Sequence, residues 1–156
     1  MHLLRVRRQL LSINLPDGYR LRVLDEVDST NAEAARIVAQ LAGPEWVLAR
    51  RQTNGRGRRG RAWSDPAGNF AASLVLFPQH PPDQIALRSF VAALALFDAL
   101  VATTGRSDTL ALKWPNDVLL NGGKVAGILL ESTAFSGSKP GSFFFRCFYE
   151  SVFFSV

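Results

Sequence analysis

The 156 residues predict an α+β domain, and three observations carry that reading. Short segments that alternate apolar with polar residues, or are apolar throughout, recur along the chain as strands. Two longer segments carry the 3.6-residue apolar stripe of a helix, and Gly, Pro, Asn and Asp punctuate the junctions. The length suits one domain with a proper core and is too short for two ordinary ones.

Tyr19 to Leu24 alternates apolar with charged residues, the period of a half-buried strand. Asp28-Ser29-Thr30-Asn31 follows. Thr30 with Glu33 makes a capping box, and Ala34, Ile37, Val38 and Leu41 form the stripe of a helix that Gly43-Pro44 ends. Trp46 to Gln52 reads as a strand, and an Arg/Gly loop runs from there to Asn69. Phe70 to Phe77 is apolar on both faces, like a central strand, and stops at Pro78. Asp83 caps a long helix whose buried stripe is Leu87, Phe90, Val91, Leu94, Phe97 and Val101, ending at Gly105. Leu110 to Lys113 and Val118 to Leu120 are short strands flanking a Trp-Pro-Asn-Asp turn. Asn121-Gly122-Gly123 is a hairpin turn into the strand Lys124 to Ser132. Residues 138–156 hold six of the eleven Phe with four Ser and no period. That tail reads either as a buried hairpin or, preferably, as chain translated out of its proper frame. An exposed stretch of this kind is prone to aggregate.

An apolar fraction of 47% and a charged fraction of 20% describe a globular protein. The lone Cys147 excludes a disulfide framework or a Cys-rich zinc site, so a reduced, cytoplasmic protein is the default. Arg5, Arg7 and Arg8 interrupt any signal-peptide core, and export is not expected. The longest uncharged apolar run, Ser89 to Phe97, is shorter than the roughly 18 to 20 residues that cross a bilayer, so no membrane association is expected. The net charge of +5 is local. Arg50, Arg51, Arg56, Arg58, Arg59 and Arg61 crowd one segment without an acid, and the rest of the chain is near neutral.

Gly55 to Gly60 formally satisfies G-x-G-x-x-G, but no helix opens there and residue 80 is His rather than an acid, so a dinucleotide fold is excluded. The kinase alternative lacks its His-Arg-Asp and Asp-Phe-Gly elements. What survives is glycine that permits close backbone approach and arginine that offers forked donors to phosphate or carboxylate. A solvated basic loop, or an arginine-rich module gripping RNA, is the competing reading. Trp63 closes the loop with a ring able to cover a planar group such as adenine. Ser29, Thr30 and Asn31 sit at a helix N-terminus, where free N–H groups suit a polar ligand or serve only as a cap. Gln52 ends a strand beside the loop, and Lys113 and Lys124 flank the same hairpin.

Four strings, Asp28-Ser-Thr-Asn31, Gln52-Thr-Asn-Gly-Arg-Gly-Arg-Arg-Gly-Arg-Ala-Trp63, Lys113-Trp-Pro-Asn-Asp117 and Lys124-Val-Ala-Gly-Ile-Leu129, resemble in order and spacing the catalytic domain of biotin protein ligases. The resemblance spans about residues 19–133. It implies a mixed sheet with helices packed on one face, of the class II aminoacyl-tRNA-synthetase-like type, here incomplete. Residues 1–133 would be the partial catalytic domain and 134–156 an aberrant or divergent tail. The implied activity joins biotin to ATP as biotinyl-5′-AMP, with Mg2+ accompanying the ATP, then passes the biotinyl group to a lysine of a biotin carboxyl carrier domain. By the same resemblance Ser29, Thr30, Asn31 and Gln52 line the biotin pocket, and Gly55, Arg56, Gly57 and Arg58 form the loop over the adenylate. Lys124 and Arg58 are the catalytic cations, Gly127 is a pocket wall, and Asp117 with Lys113 serves the second step. No resident metal site is implied. The residues before Leu21 are too few for a helix-turn-helix, so DNA binding is not expected, while a homodimer is compatible with the resemblance. Alternatives are a lipoate or octanoate ligase of the same superfamily and a non-catalytic biotin-binding remnant.

Overall fold

The structure is a computed structural model. It describes residues 14–57, 60, 62–63, 68–78 and 81–131, with the side chains of Trp63 and Pro82 excepted. The Phe/Ser-rich tail and Arg58 lie outside the described residues, as do Ser132 and Thr133.

Strand β1 (Arg20–Leu24) runs parallel to β2 (Glu45–Ala49), and β2 pairs antiparallel with β5 (Ala71–Val75). The sheet is mixed. Register sets Val47 against Ser73 and Trp46 against Leu74. Helix α1 (Thr30–Ile37), continued by a 3-10 turn over Val38–Gln40, crosses between β1 and β2 and lays Ala34, Ile37 and Val38 on Val47 and Val75. Fully burying a valine side chain is worth about 1.5–3 kcal/mol, so this face fixes where the start of α1 stands.

The cap of α1 is Ser29, not Thr30. Ser29 has extended backbone and its side chain accepts from Ala32 N–H at 3.5 Å, whereas Thr30 already lies inside the helix and is buried. Glu33 does not close a capping box; its carboxylate accepts from Arg36 at 2.8 Å. Arg36 also donates to Asp28, at 2.7 Å and 3.1 Å, and Ser29 N–H donates to the same carboxylate at 2.8 Å. These donors, Arg36 first, hold the Asp28 carboxyl down at about 2.

The Arg/Gly segment is not wholly loop. Gly55–Arg56 (β3) and Ala62–Trp63 (β4) form a two-residue antiparallel ladder, with Gly55 opposite Trp63. Nor is β5 central among the described strands, since it pairs there with β2 alone; helix α1 covers its apolar face instead.

Helix α2 (Pro82–Ala86) precedes the long α3 (Arg88–Thr104), which ends at Gly105 with φ 68° in the left-handed region that suits glycine. The α3 stripe differs from expectation. Ala92, Ala93, Leu96, Phe97, Leu100 and Val101 face Leu110, Val118, Ala126 and Ile128, while Leu87, Phe90, Val91 and Leu94 are exposed. A helix apolar on nearly every side carries more than one stripe, and periodicity alone cannot choose between them. The run length set against a bilayer covers uncharged stretches only. Within Asp83–Thr104 an 18-residue window has a mean hydropathy of 2.0, enough by length and composition alone to cross a membrane. Counting only uncharged runs stops at Arg88 and Asp98, although α3 runs through Asp98 unbroken. Among its described residues Ala93 is buried, and Ala92, Leu96, Phe97, Leu100 and Val101 are partly buried against the sheet that follows.

Strands β6 (Leu110–Lys113), β7 (Asp117–Leu120) and β8 (Gly123–Gly127) form an antiparallel meander beneath α3. Asn121 and Gly122, with φ of 49° and 79°, make the tight β7–β8 turn. A register shift opposite Val118/Leu119 makes Val125 an extra residue, a bulge on β8 beside Lys124.

Candidate functional site

Two polar groups stand out, each built by backbone elements that meet for packing reasons. The first begins where the chain leaves β1. Val27 bridges Gln52 in parallel, and Thr53 N–H and Asn54 N–H donate to Val27 and Asp28 carbonyls at 2.9 and 2.7 Å. The segment after β2 is thus strapped against the entry to α1, which delivers Gln52 to Thr30. Thr30 N–H donates to Gln52 Oε1 at 2.8 Å, and Thr30 Oγ1 lies 3.1 Å from the same oxygen. Ser73 Oγ completes the group, 2.8 Å from Thr30 Oγ1 and 2.6 Å from Asn31 Oδ1. Ser29, Thr30, Asn31, Gln52 and Ser73 are all buried. A buried polar group without a partner costs about 1–3 kcal/mol, so such a cluster is held only where its members satisfy one another.

Thr30 and Ser73 have no exposed surface at all, which makes them supports of the groups that do. Thr30 holds Gln52; Ser73 holds Asn31.

The second group lies on the β7–β8 hairpin. Register places Asp117 opposite Gly127, and Lys124 Nζ reaches Asp117 Oδ1 at 2.9 Å. The lysine head crosses directly over Gly127. A Cβ at that position would stand 2.8 Å from Lys124 Nζ and 2.9 Å from Cε, distances that real Cβ atoms do not show. Glycine is therefore what lets Lys124 lie there. Asn116 ties the preceding turn to the far end of β8, its Nδ2 donating to the Ile128 carbonyl while Ile128 N–H donates back to Asn116 O at 3.0 Å. Lys113 pairs with Asp117 across the β6–β7 ladder and is exposed.

One hydrogen bond joins the groups: Asn31 Nδ2 donates to Glu131 Oε2 at 2.7 Å across a separation of 100 residues. Glu131 follows Gly127 by four positions, so the chain that carries Lys124 runs on to the mouth of the buried cluster.

Sequence reasoning missed Ser73, Glu131 and Asn116. A single hydroxyl inside Ala71-Ala72-Ser73-Leu74-Val75 and a single acid closing an apolar strand were the available signals. Of the arginine loop, Gly55 is buried, Gly57 is half-buried and Arg56 is exposed. Of Trp63 only the backbone is described, opposite Gly55. Among the described residues no three His, Cys, Asp or Glu gather as a metal site would require.

Residues 23–143 match the model of the Biotin/lipoate A/B protein ligase family. The chain belongs to that family.

Within the biotin/lipoate protein ligases it is 63% identical over 119 residues to a biotin–[acetyl-CoA-carboxylase] ligase of Paracoccus denitrificans, covering 76% of this chain and 48% of that protein. It is 36% identical over 126 residues to the bifunctional ligase/repressor BirA of Escherichia coli, covering 78% of this chain and 37% of that one. Among solved structures, the biotin protein ligase of Aquifex aeolicus in complex with biotin and ATP superposes with a TM-score of 0.69 at 30% identity. That match covers 84% of this chain and 51% of the other. The chain thus spans about half the length of these relatives, or less. The mixed sheet with packed helices is the fold these ligases share, and the expected α+β class holds.

Proposed function

We propose that this chain carries the catalytic centre of an ATP-dependent biotin protein ligase. The biotin carboxylate attacks the α-phosphate of ATP, the bond from that phosphorus to the bridging oxygen breaks, and biotinyl-5′-AMP and pyrophosphate result. A lysine amine of a biotin carboxyl carrier domain then attacks the acyl carbon, releasing AMP. The observation that carries the reading is the placement of Lys124, held over Gly127 by Asp117, on the strand that leads through Glu131 to the buried polar cluster.

The chemistry follows from charge. A carboxylate and a polyphosphate repel, so the first step needs cations that neutralise both and hold them in line. Lys124 supplies one such charge, the exposed Arg56 of β3 a second, and Arg58 a third. Mg2+ enters with the ATP phosphates as part of that substrate. Gln52, Asn31 and Ser29 form the polar lining for the cyclic urea of biotin, and Gly55 and Gly57 allow the loop backbone to approach the adenylate, with Trp63 beside the adenine. In the second step the acceptor lysine arrives as an ammonium and must lose a proton. We assign receipt of that proton to Asp117, which pairs in register with Lys113 across the ladder.

Biotin is favoured over lipoate because the N–H groups of its cyclic urea can donate to side-chain oxygens of the polar lining, while the sulfur ring of lipoate brings no such donor. Biotin-driven ATP–pyrophosphate exchange should exceed lipoate-driven exchange by at least about 100-fold. Exchange that runs equally well without biotin would overturn the reading.

Gly127→Ala tests the seat of Lys124. The clashing atoms are the end of a flexible side chain rather than backbone, so the fold should yield nothing while the lysine head leaves Asp117. The expected result is a rise of about tenfold in KM for biotin, equivalent to roughly 1.4 kcal/mol, with an unchanged unfolding midpoint. A drop in thermal stability without a change in KM would mean that the glycine serves packing alone.

A further inference from the structure

We infer that Glu131 is a positioning residue that sets the direction in which hydrogen bonds run through the buried Asn31–Ser73–Thr30–Gln52 chain. The inference deepens the biotin-ligase reading and rests on it only for the identity of the ligand. Ser73 and Thr30 bring one hydroxyl proton each, yet three contacts compete for them: Thr30 Oγ1 to Gln52 Oε1 at 3.1 Å, Ser73 to Thr30 at 2.8 Å and Ser73 to Asn31 at 2.6 Å. An amide side chain donates at one end and accepts at the other, so the orientation of Asn31 decides the rest.

Two directions satisfy the interior. With Asn31 Oδ1 toward Ser73, the serine proton goes to Asn31, the threonine hydroxyl proton goes to Ser73, and Gln52 Oε1 takes the N–H of Thr30 but not its hydroxyl proton. With the amide turned over, Asn31 donates to Ser73, Ser73 to Thr30, and Thr30 gives Gln52 Oε1 both of its protons. Nothing inside the cluster distinguishes these arrangements. Glu131 does, from its edge. A carboxylate only accepts, so Glu131 Oε2 at 2.7 Å from Asn31 Nδ2 attracts the amide nitrogen and repels the amide oxygen. Glu131 is exposed, while Asn31, Ser73, Thr30 and Gln52 are buried, so one charge at the surface orders four groups beneath it. The direction it selects spares Gln52 Oε1 one of the two Thr30 protons, which makes that oxygen the better acceptor for an N–H of a cyclic urea.

The test is Glu131→Gln, whose side-chain amide can pair with Asn31 in either orientation. In the chain labelled with 15N and free of ligand, the Asn31 side-chain amide resonances should move and divide between two orientations, while the backbone spectrum of the core is retained. Biotin affinity measured by calorimetry should fall about tenfold, and the same substitution made on a Ser73→Ala background should change affinity little, because the chain it orders has been cut. Unmoved Asn31 resonances overturn the inference, as does an affinity loss of equal size with and without Ser73. If the unsubstituted chain binds no biotin, the biotin-ligase reading falls instead, and the ligand-free resonances still decide the role of Glu131.

Discussion

Lys124→Met is expected to lower biotin-dependent ATP–pyrophosphate exchange by on the order of 10²- to 10³-fold, the cost typical of removing one preorganised group that stabilises transition-state charge. Methionine keeps the length and most of the volume of the side chain, and the lysine head is partly open to solvent, with its side chain 40% exposed, so folding should not change. What is lost is the cation that lets a carboxylate approach a phosphate. Asp117 would meanwhile keep its charge without the Lys124 ammonium against it, adding repulsion where the anions must gather. Lys124→Arg separates charge from shape: a planar fork is wider than an ammonium, and the room above Gly127 fits the latter. Arginine should therefore recover only part of the rate. Exchange within a few-fold of the unsubstituted chain for Lys124→Met would remove this lysine from the first half-reaction.

Where local pattern and tertiary packing agree, the sequence was readable. The stripe Ala34, Ile37 and Val38 turned to the core as its period required, and the Asn121-Gly122 turn joined β7 to β8 as its backbone preferences dictate. On α3 the same reasoning misplaced the N-terminal half, since Leu87, Phe90, Val91 and Leu94 are as apolar as the residues that do pack. Which side of such a helix is covered depends on the sheet it meets. Capping failed for a related reason. Thr30 has a cap residue's side chain, but register between β1 and β2 brings Gln52 to its amide, and Ser29 takes the cap instead.

Ser73 shows what lies beyond local reading. Its neighbours make β5 look uniformly apolar, and only the position of α1 over that strand turns one hydroxyl into the link between Thr30 and Asn31. The pairing of Asn31 with Glu131 is still less local, because 100 residues separate partners whose meeting depends on both sheets being formed. By contrast Lys124, Asp117 and Gly127 share one hairpin, where strand pairing alone suffices to bring them together.

Thr30→Val carries the largest expected effect on stability. Valine fills the same space, so no cavity opens, and the change isolates the hydroxyl. With no exposed surface at Thr30 or Ser73, water cannot replace what is removed. Ser73 loses the donor it has at 2.8 Å, while the backbone donation of residue 30 to Gln52 persists. Leaving one buried hydroxyl short of a partner costs about 1–3 kcal/mol, a large share of the 5–15 kcal/mol by which a domain is usually stable. For a chain of this size the unfolding midpoint should fall by roughly 3–10 °C in a thermal melt. Thr30→Ser restores the oxygen without the methyl and should recover most of the loss. A valine variant as stable as the unsubstituted chain would mean that packing of α1 on β2 and β5 alone fixes this end of the helix. The hydroxyl chain would then be a consequence of the fold and not one of its supports.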